Sequence, residues 1–252
     1  MTINTNTMSS SPATAIRADT LLDLIENRRV GVEYQVILDT RSLETFGYEG
    51  LARLYDRDGA PLPPQRVFDC LHDSPLSLVQ LELIAKAAQI EHAPTEGKLF
   101  LNVDPDAFLL GLAPDHSHPM FKLLARRPDV VVEIIENSNT QQADRSLALA
   151  RGLAEQNIET ALDDIGAPAS LLALPLLMSV DYYKFDRHWL RQRDDAAHRA
   201  LLTHLLGFAR EQGKATVLEG VETAADLALA RELGVDYVQG FLFRERFVTV
   251  TP

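Results

Sequence analysis

Eight short runs rich in apolar and β-branched residues punctuate this chain, and helical patterns separate most of them. The runs are Val32 to Asp39, Phe46 to Leu54, Leu99 to Val103, Val130 to Ile135, Glu159 to Asp163, Tyr182 to Phe185, Thr216 to Leu218 and Tyr237 to Phe243. Helical periodicity is plainest over Leu76 to Ile90, Gln141 to Glu155, Asp194 to Gln212 and Ala224 to Leu233. The last two end near Gly213 and Gly234, where a helix C-terminus favours glycine. Alternation of this kind predicts a parallel sheet, and about eight units close into a (β/α)₈ barrel. One connection breaks the rule. Thr40 to Thr45 is too short for the crossover that parallel neighbours need, so the first two strands should form an antiparallel hairpin. The expectation is an α/β fold: a modified (β/α)₈ barrel with one antiparallel strand near its start. The proline-rich stretch Ala60 to Pro75 reads as an irregular excursion above the barrel mouth.

In such a barrel the C-terminal strand ends converge on one mouth, so residues far apart in sequence meet there. Ala161-Leu162-Asp163-Asp164-Ile165-Gly166 places two adjacent carboxylates at one strand end. Glu49, Asn102, Glu133, Glu136 and Glu219 stand at the ends of other runs. Carboxylates plus an amide, with no Cys or His at ligand spacing, describe a hard-cation site of the Mg²⁺ or Mn²⁺ kind. On a regular strand Asp163 and Asp164 would face opposite sides, but a turn at the strand end brings both to one centre. Asp164 alone could equally cap the next helix.

At 252 residues with 46% hydrophobic content the chain suffices for one large core. We expect residues 1–18 to be a disordered tail, Ser/Thr/Asn-rich and unlike a signal peptide, and residues 19–252 to be a single barrel domain. The most apolar stretch, LLALPLLM, is too short to span a bilayer. Cys70 has no partner for a disulfide, and the expected location is the cytoplasm. A net charge of −12 excludes a duplex nucleic-acid binder, which needs a basic face. A small anionic substrate remains compatible if bound cations supply positive charge. His72-Asp73, His116 and His118 do not complete a histidine-based metal site and read as loop histidines.

Motifs in order carry a family resemblance from about Leu21 to Phe247: YQVILD, GYEGLAR, FLNVDP, EIIEN, ALDDIG, VDYYKFD, LEGVET and QGFLF. The series resembles the EAL domain, the fold of cyclic-di-GMP-specific phosphodiesterases. That resemblance implies two divalent ions, Mg²⁺ or Mn²⁺, and hydrolysis of cyclic di-GMP to linear pGpG. Glu49, Asn102, Glu133, Asp163, Asp164 and Glu219 match the family's metal ligands, with Asp163 bridging. Lys184 matches the residue beside the attacking water. Gln35, Arg53, Asp186 and Gln239 match substrate-site positions, with Asp186 supporting Lys184. Glu136 matches the partner of the loop after the Asp-Asp pair. The resemblance also implies a homodimer.

One departure bears on activity. Family members usually continue FGTGYSSL after the Asp-Asp pair, whereas this chain reads IGAPASLL from Ile165 to Leu172. Pro168 removes a backbone donor and fixes φ where the family has glycine. The upstream PxxFI-x-AE segment is also poorly matched by PPQRVFDCLH. The alternative reading is therefore a weak or inactive EAL module that senses cyclic di-GMP or binds a regulatory protein.

Overall fold

The computed structural model describes residues 16–113, 118–135, 140–168 and 171–252. Its strands are β1 (Val30–Asp39), β2 (Thr45–Tyr55), β3 (Pro61–Leu62), β4 (Lys98–Asn102), β5 (Val130–Ile135), β6 (Glu159–Ile165), β7 (Tyr182–Phe185), β8 (Ala215–Leu218), β9 (Tyr237–Gln239) and β10 (Val248–Val250). The helices that precede β5 are α1 (Ala18–Glu26), α2 (Pro64–Leu71), α3 (Pro75–Glu91), α4 (Pro105–Gly111) and α5 (Pro119–Leu124). After β5 come α6 (Thr140–Glu155), α7 (Leu174–Ser179), α8 (His188–Arg191), α9 (Ala196–Glu211) and α10 (Ala224–Leu233).

Strands β2 and β4 to β9 run parallel as successive neighbours, and β1 closes the ring antiparallel to both β2 and β9. The expected barrel with one reversed strand is the observed one. Its hairpin is made by local chemistry: Asp39 Oδ1 accepts from the backbone N–H groups of Arg41 and Ser42, and Leu43 takes a positive φ of 60°. The register sets Gln35 of β1 opposite Glu49 of β2.

Two expectations need correction. The last run ends at Gln239 rather than Phe243, because a Cβ at Gly240 would lie 2.2 Å from the Val221 carbonyl oxygen. The chain then turns into a 3-10 helix, Phe241–Arg246, and returns as β10. That small strand has a purpose: β9 covers β1 only at Ile37 to Asp39, and β10 pairs with the otherwise open edge at Val32 to Tyr34. Ala60 to Pro75 is also not irregular throughout, since it holds β3 and α2. Its prolines misled because Pro64 and Pro75 occupy first helical positions, where a missing N–H costs nothing. The tail expectation for residues 1–15, and those for His116 and Glu136, fall outside the described residues. His118 does lie in the connection before α5, but it is buried, caps that helix by accepting from Met120 N at 2.9 Å, and stacks on Phe108.

The period-two alternation of the strands divides the core. Outward-facing Val32, Tyr34, Leu99, Leu101, Val132 and Leu162 pack beneath the helices. Inward-facing Ile37, Phe100, Val131, Ala161, Tyr182 and Val217 form a separate apolar layer, joined by Phe46 stacked on Tyr237 with centroids 3.7 Å apart. This layer plugs the barrel floor. The next inward residue on each strand can then meet solvent only at the top.

Candidate active site

One step above the plug, every barrel strand contributes an inward polar side chain. These are Gln35, Glu49, Asn102, Glu133, Asp163, Lys184, Glu219 and Gln239, from β1, β2 and β4 to β9 in order, with Glu219 just beyond β8. Lys184 is the hub and is fully buried. Its Nζ lies 2.9 Å from Asp163 Oδ1, 2.8 Å from Glu219 Oε1 and 3.8 Å from Glu49 Oε2, and it also contacts Glu133 Oε1. The Asn102 amide donates to Glu133 Oε2 at 2.7 Å and to Glu49 Oε1 at 3.2 Å. Gln239 Nε2 donates to Glu49 Oε2 at 2.6 Å and to Gln35 Oε1 at 3.3 Å.

The Asp-Asp pair reaches this layer by a backbone irregularity. Leu162 pairs with Tyr183 and Ile165 with Phe185, so two residues of β6 occupy the span of one on β7. That is a β-bulge. Asp164 adopts φ +59°, and its carbonyl accepts from Ala167 N at 3.0 Å in the turn beyond it. Both carboxylates consequently line the mouth instead of facing opposite sides. The helix-cap alternative for Asp164 is not realised, since α7 begins only at Leu174. The turn is fixed from behind by Trp189, whose Nε1 donates to the Ile165 carbonyl at 2.7 Å, and by Gly166, where a Cβ would lie 2.3 Å from that nitrogen.

Electrostatics strain the site. Burial, followed by the neighbouring Glu49 charge, holds the Glu133 carboxyl well above the usual range. Burial likewise raises Glu219, and Asp164 is pushed up to about 6 by burial and then by the Asp163 charge. Burial acts to lower Lys184, but the surrounding carboxylates, Asp163 foremost, outweigh it and raise its pKa. Glu133 Oε1 and Asp163 Oδ1 are buried without a hydrogen bond. Ligand oxygens of Asp163, Asp164 and Glu219 lie within 4.8 Å of one another. Five crowded carboxylates with a single ammonium among them fit a hard divalent cation by the chemistry of their donors.

Two clefts meet at Asp163 and Asp164. One, about 330 Å³, is lined by Gln35, Asp186, Arg187, Glu222 and Phe241 among others; the second, about 380 Å³, by Leu51, Arg53, Phe68, Asn102 and Val103 among others. Arg53 donates to Glu33 Oε1 at 2.7 Å, and so does Gln35 Nε2 at 2.9 Å, so Glu33 orients both. Asp186 is not among the ion contacts of Lys184; its Oδ1 accepts from His188 N at 2.8 Å and holds the first turn of α8. Sequence reasoning missed Glu33, Arg187, Glu222 and Phe241. Arg187 and Glu222 carried a usable signal, since both lie just beyond strand ends. Phe241 was hidden by reading β9 too long.

A family model described as EAL domain matches residues 18–246. The chain belongs to the EAL domain family. Its relatives include the probable cyclic di-GMP phosphodiesterase PdeN of Escherichia coli (strain K12), 28% identical over 237 residues that cover 88% of this chain and 44% of that protein. The cyclic di-GMP phosphodiesterase PdeL of the same strain is 24% identical, covering 87% and 63%. This EAL domain thus spans less than two thirds of either relative's length. Among solved structures, the FimX EAL domain from Pseudomonas aeruginosa bound to c-di-GMP superimposes with a TM-score of 0.74 at 21% identity, covering 92% of this chain and 95% of that one. The PaMucR phosphodiesterase in its c-di-GMP complex gives 0.71 at 21% identity, covering 93% and 96%. At such identity the likeness establishes the fold. Among the described residues no helix is long and apolar enough to cross a membrane.

Proposed function

We propose that this EAL domain is a divalent-metal-dependent phosphodiesterase that opens cyclic di-GMP to linear pGpG. The observation that carries the reading is the placement of Asp163 and Asp164 where two clefts of similar size meet, above a buried lysine and three further carboxylates. A two-lobed cyclic dinucleotide would lay one phosphodiester on that ridge and one base in each cleft. Glu49, Asn102, Glu133, Asp163, Asp164 and Glu219 would hold Mg²⁺ or Mn²⁺. Five carboxylates share one ammonium there, and the excess negative charge, if all are ionised, matches two divalent ions. When bound, such ions activate water and neutralise charge on the phosphoryl oxygens.

The chain's own residues do the rest. Lys184, held from below by its carboxylates, offers a fixed positive charge to the nucleophile and to charge developing on phosphorus. Gln239, which also donates to Gln35, clamps Glu49 from one side while Asn102 clamps it from the other, fixing the ligand oxygens before substrate arrives. Arg53, steadied by Glu33, presents its guanidinium at the second cleft for a phosphate or a base edge.

The sensor reading has one specific observation in its favour. After the Asp-Asp turn the chain exposes Leu171, Leu172, Leu174 and Met178, an apolar surface suited to a second copy or a regulatory protein. Purified protein incubated with cyclic di-GMP and Mg²⁺ or Mn²⁺, with the product resolved by chromatography, decides between them. Accumulating pGpG supports the enzyme; tight binding without product supports the sensor.

A further inference from the structure

Arg187 is the cation of the first cleft that no described residue engages. It comes directly after Asp186 beyond β7, its side chain is exposed, and among the described residues its guanidinium has no hydrogen bond or ion pair. Other nearby basic groups are held elsewhere: Arg193 pairs with Asp226 at 2.8 Å, Arg53 with Glu33, Lys184 lies buried under its carboxylates, Arg244 sits over the Phe241 ring, and Arg191 lines only the neighbouring cleft. The stem of Arg187 is seated from below. A Cβ on Gly220, which has φ +66°, would lie 2.2 Å from the Arg187 Cβ and 3.3 Å from its Cδ. The arginine therefore packs on the backbone immediately after Glu219, next to the candidate metal ligands, and it lines both the cleft they border and the neighbouring one toward Thr223 and Asp226.

The surroundings select what that head can take. A phosphate in this cleft would share it with the carboxyl groups of Asp186 and Glu222, so like charges would oppose it. Guanine suits a mixed lining better. Its O6 and N7 accept from an arginine fork, and its N1–H and N2–H groups donate to a carboxylate. Asp186 has one oxygen anchored on His188 N, which leaves the other to accept. The ring of Phe241, 56% exposed, borders the same cleft and, with Arg244 over one face 5.7 Å from its centroid, has its other face to offer a base. Adenine carries an amino group at the position of guanine O6, and this would meet the donors of the fork directly.

We propose that Arg187 is a specificity-determining residue that reads O6 and N7 of one guanine base and so sets the preference for guanine over adenine dinucleotides. The proposal rests on the reading that the site takes cyclic di-GMP. Its test is calorimetric binding of cyclic di-GMP and cyclic di-AMP to Asp163→Asn protein, where substrate persists, with and without Arg187→Gln or Arg187→Lys. A bidentate arginine–guanine pair is worth roughly 1–3 kcal/mol of discrimination, or about 5- to 150-fold. Arg187→Gln should weaken cyclic di-GMP by that factor and leave cyclic di-AMP within about twofold. Arg187→Lys, which keeps the charge but loses the fork, should resemble the Gln variant. Unchanged melting temperatures would show that the fold is intact, as an unpaired exposed side chain requires. Equal weakening of both nucleotides would reassign Arg187 to phosphate, and no weakening would make it a spectator; either overturns the proposal. Parent protein that hydrolyses cyclic di-GMP alongside such a result would leave the functional reading standing. Parent protein that neither binds nor hydrolyses cyclic di-GMP would sink both.

Discussion

Replacing Lys184 with Met tests the hub of the site, because it deletes one charge from beneath five carboxylates while keeping most of the side-chain volume. In metal-free protein the ammonium is the counter-ion of Glu133, Asp163 and Glu219, all within 3 Å of its Nζ. Removing one partner of a buried ion pair typically costs about 3–5 kcal/mol. Glu133 and Glu219 already favour protonation and can discharge part of that loss, so we expect the lower end of the range. For a chain of this length about 3 kcal/mol corresponds to roughly 6–12 °C in melting temperature. The same deletion removes a repulsive charge from the cation site. Two unit charges 4 Å apart interact by about 4 kcal/mol at an effective permittivity of 20, so a tenfold tightening of Mg²⁺, or about 1.4 kcal/mol, is a modest expectation.

Three outcomes should therefore appear together. The variant melts lower than the parent in chelator, the difference shrinks as Mg²⁺ is added, and kcat falls by roughly 10²- to 10³-fold even at saturating metal. Differential scanning calorimetry over a metal titration reads the first two, and initial rates on cyclic di-GMP read the third. A metal-free variant that melts with the parent and binds Mg²⁺ no more tightly would refute the view of Lys184 as the resident counter-ion. Full turnover at saturating metal would refute its role in the chemistry.

Asp163→Asn should abolish hydrolysis, by at least about 100-fold, yet leave the metal-free protein as stable as the parent or more so, since it relieves repulsion from Asp164; product analysis and thermal melts check both. The Asp164 carboxyl, raised to about 6, binds protons more tightly folded than unfolded. The Asp164 contribution to metal-free stability should thus fall as pH rises through roughly 4 to 6, and Asp164→Asn should flatten the slope in that window in parallel melts. The sign reverses for metal, which needs the ionised form: Mg²⁺ affinity should weaken as pH drops below about 6, with proton release on binding measurable in buffers of different ionisation enthalpy. Replacing residues 165–172 with FGTGYSSL should raise kcat by roughly 10- to 100-fold if the native loop limits the enzyme, with KM moved less because Gln35, Arg53 and Glu49 lie elsewhere. Equal rates for parent and swapped protein would show the loop to be a tolerated variation.

The barrel was legible in sequence because each buried strand carried its own apolar run and most crossovers carried a helical period. The short Thr40 to Thr45 link even placed the reversed strand within the first hairpin. Proline was the weak point: Pro64 and Pro75 punctuate a sequence in the same way whether they open a loop or start a helix. Strand β10 was illegible because three residues with an exposed, mixed pattern are defined only by the open edge they cover. At the site, chemistry-bearing residues at strand ends could be nominated one by one. Their arrangement could not, because the bulge at Asp163–Asp164, the orienting role of Glu33 and the seat of Arg187 on Gly220 are contacts between elements.

The geometry also explains how a site of this kind outlasts extensive sequence change. Strand alternation makes the inward residue above the apolar plug unavoidable, so a ring of eight polar groups needs no loop to position it. A substitution on an outer face or in a crossover does not rotate a strand, so it leaves that ring in place. Only the Asp-Asp bulge depends on the residues C-terminal to it, and here Trp189 and Gly166 hold the turn by contacts to Ile165 and to each other. The chain departs from FGTGYSSL at Ile165, which enters the clamp through its backbone carbonyl, and again from Ala167 onward. The departure begins after the ligands are fixed. Loop change should therefore tune the rate and the partner surface while leaving the cation site itself in place, which is why Mg²⁺ affinity, measured apart from turnover, separates a slowed enzyme from a dismantled one.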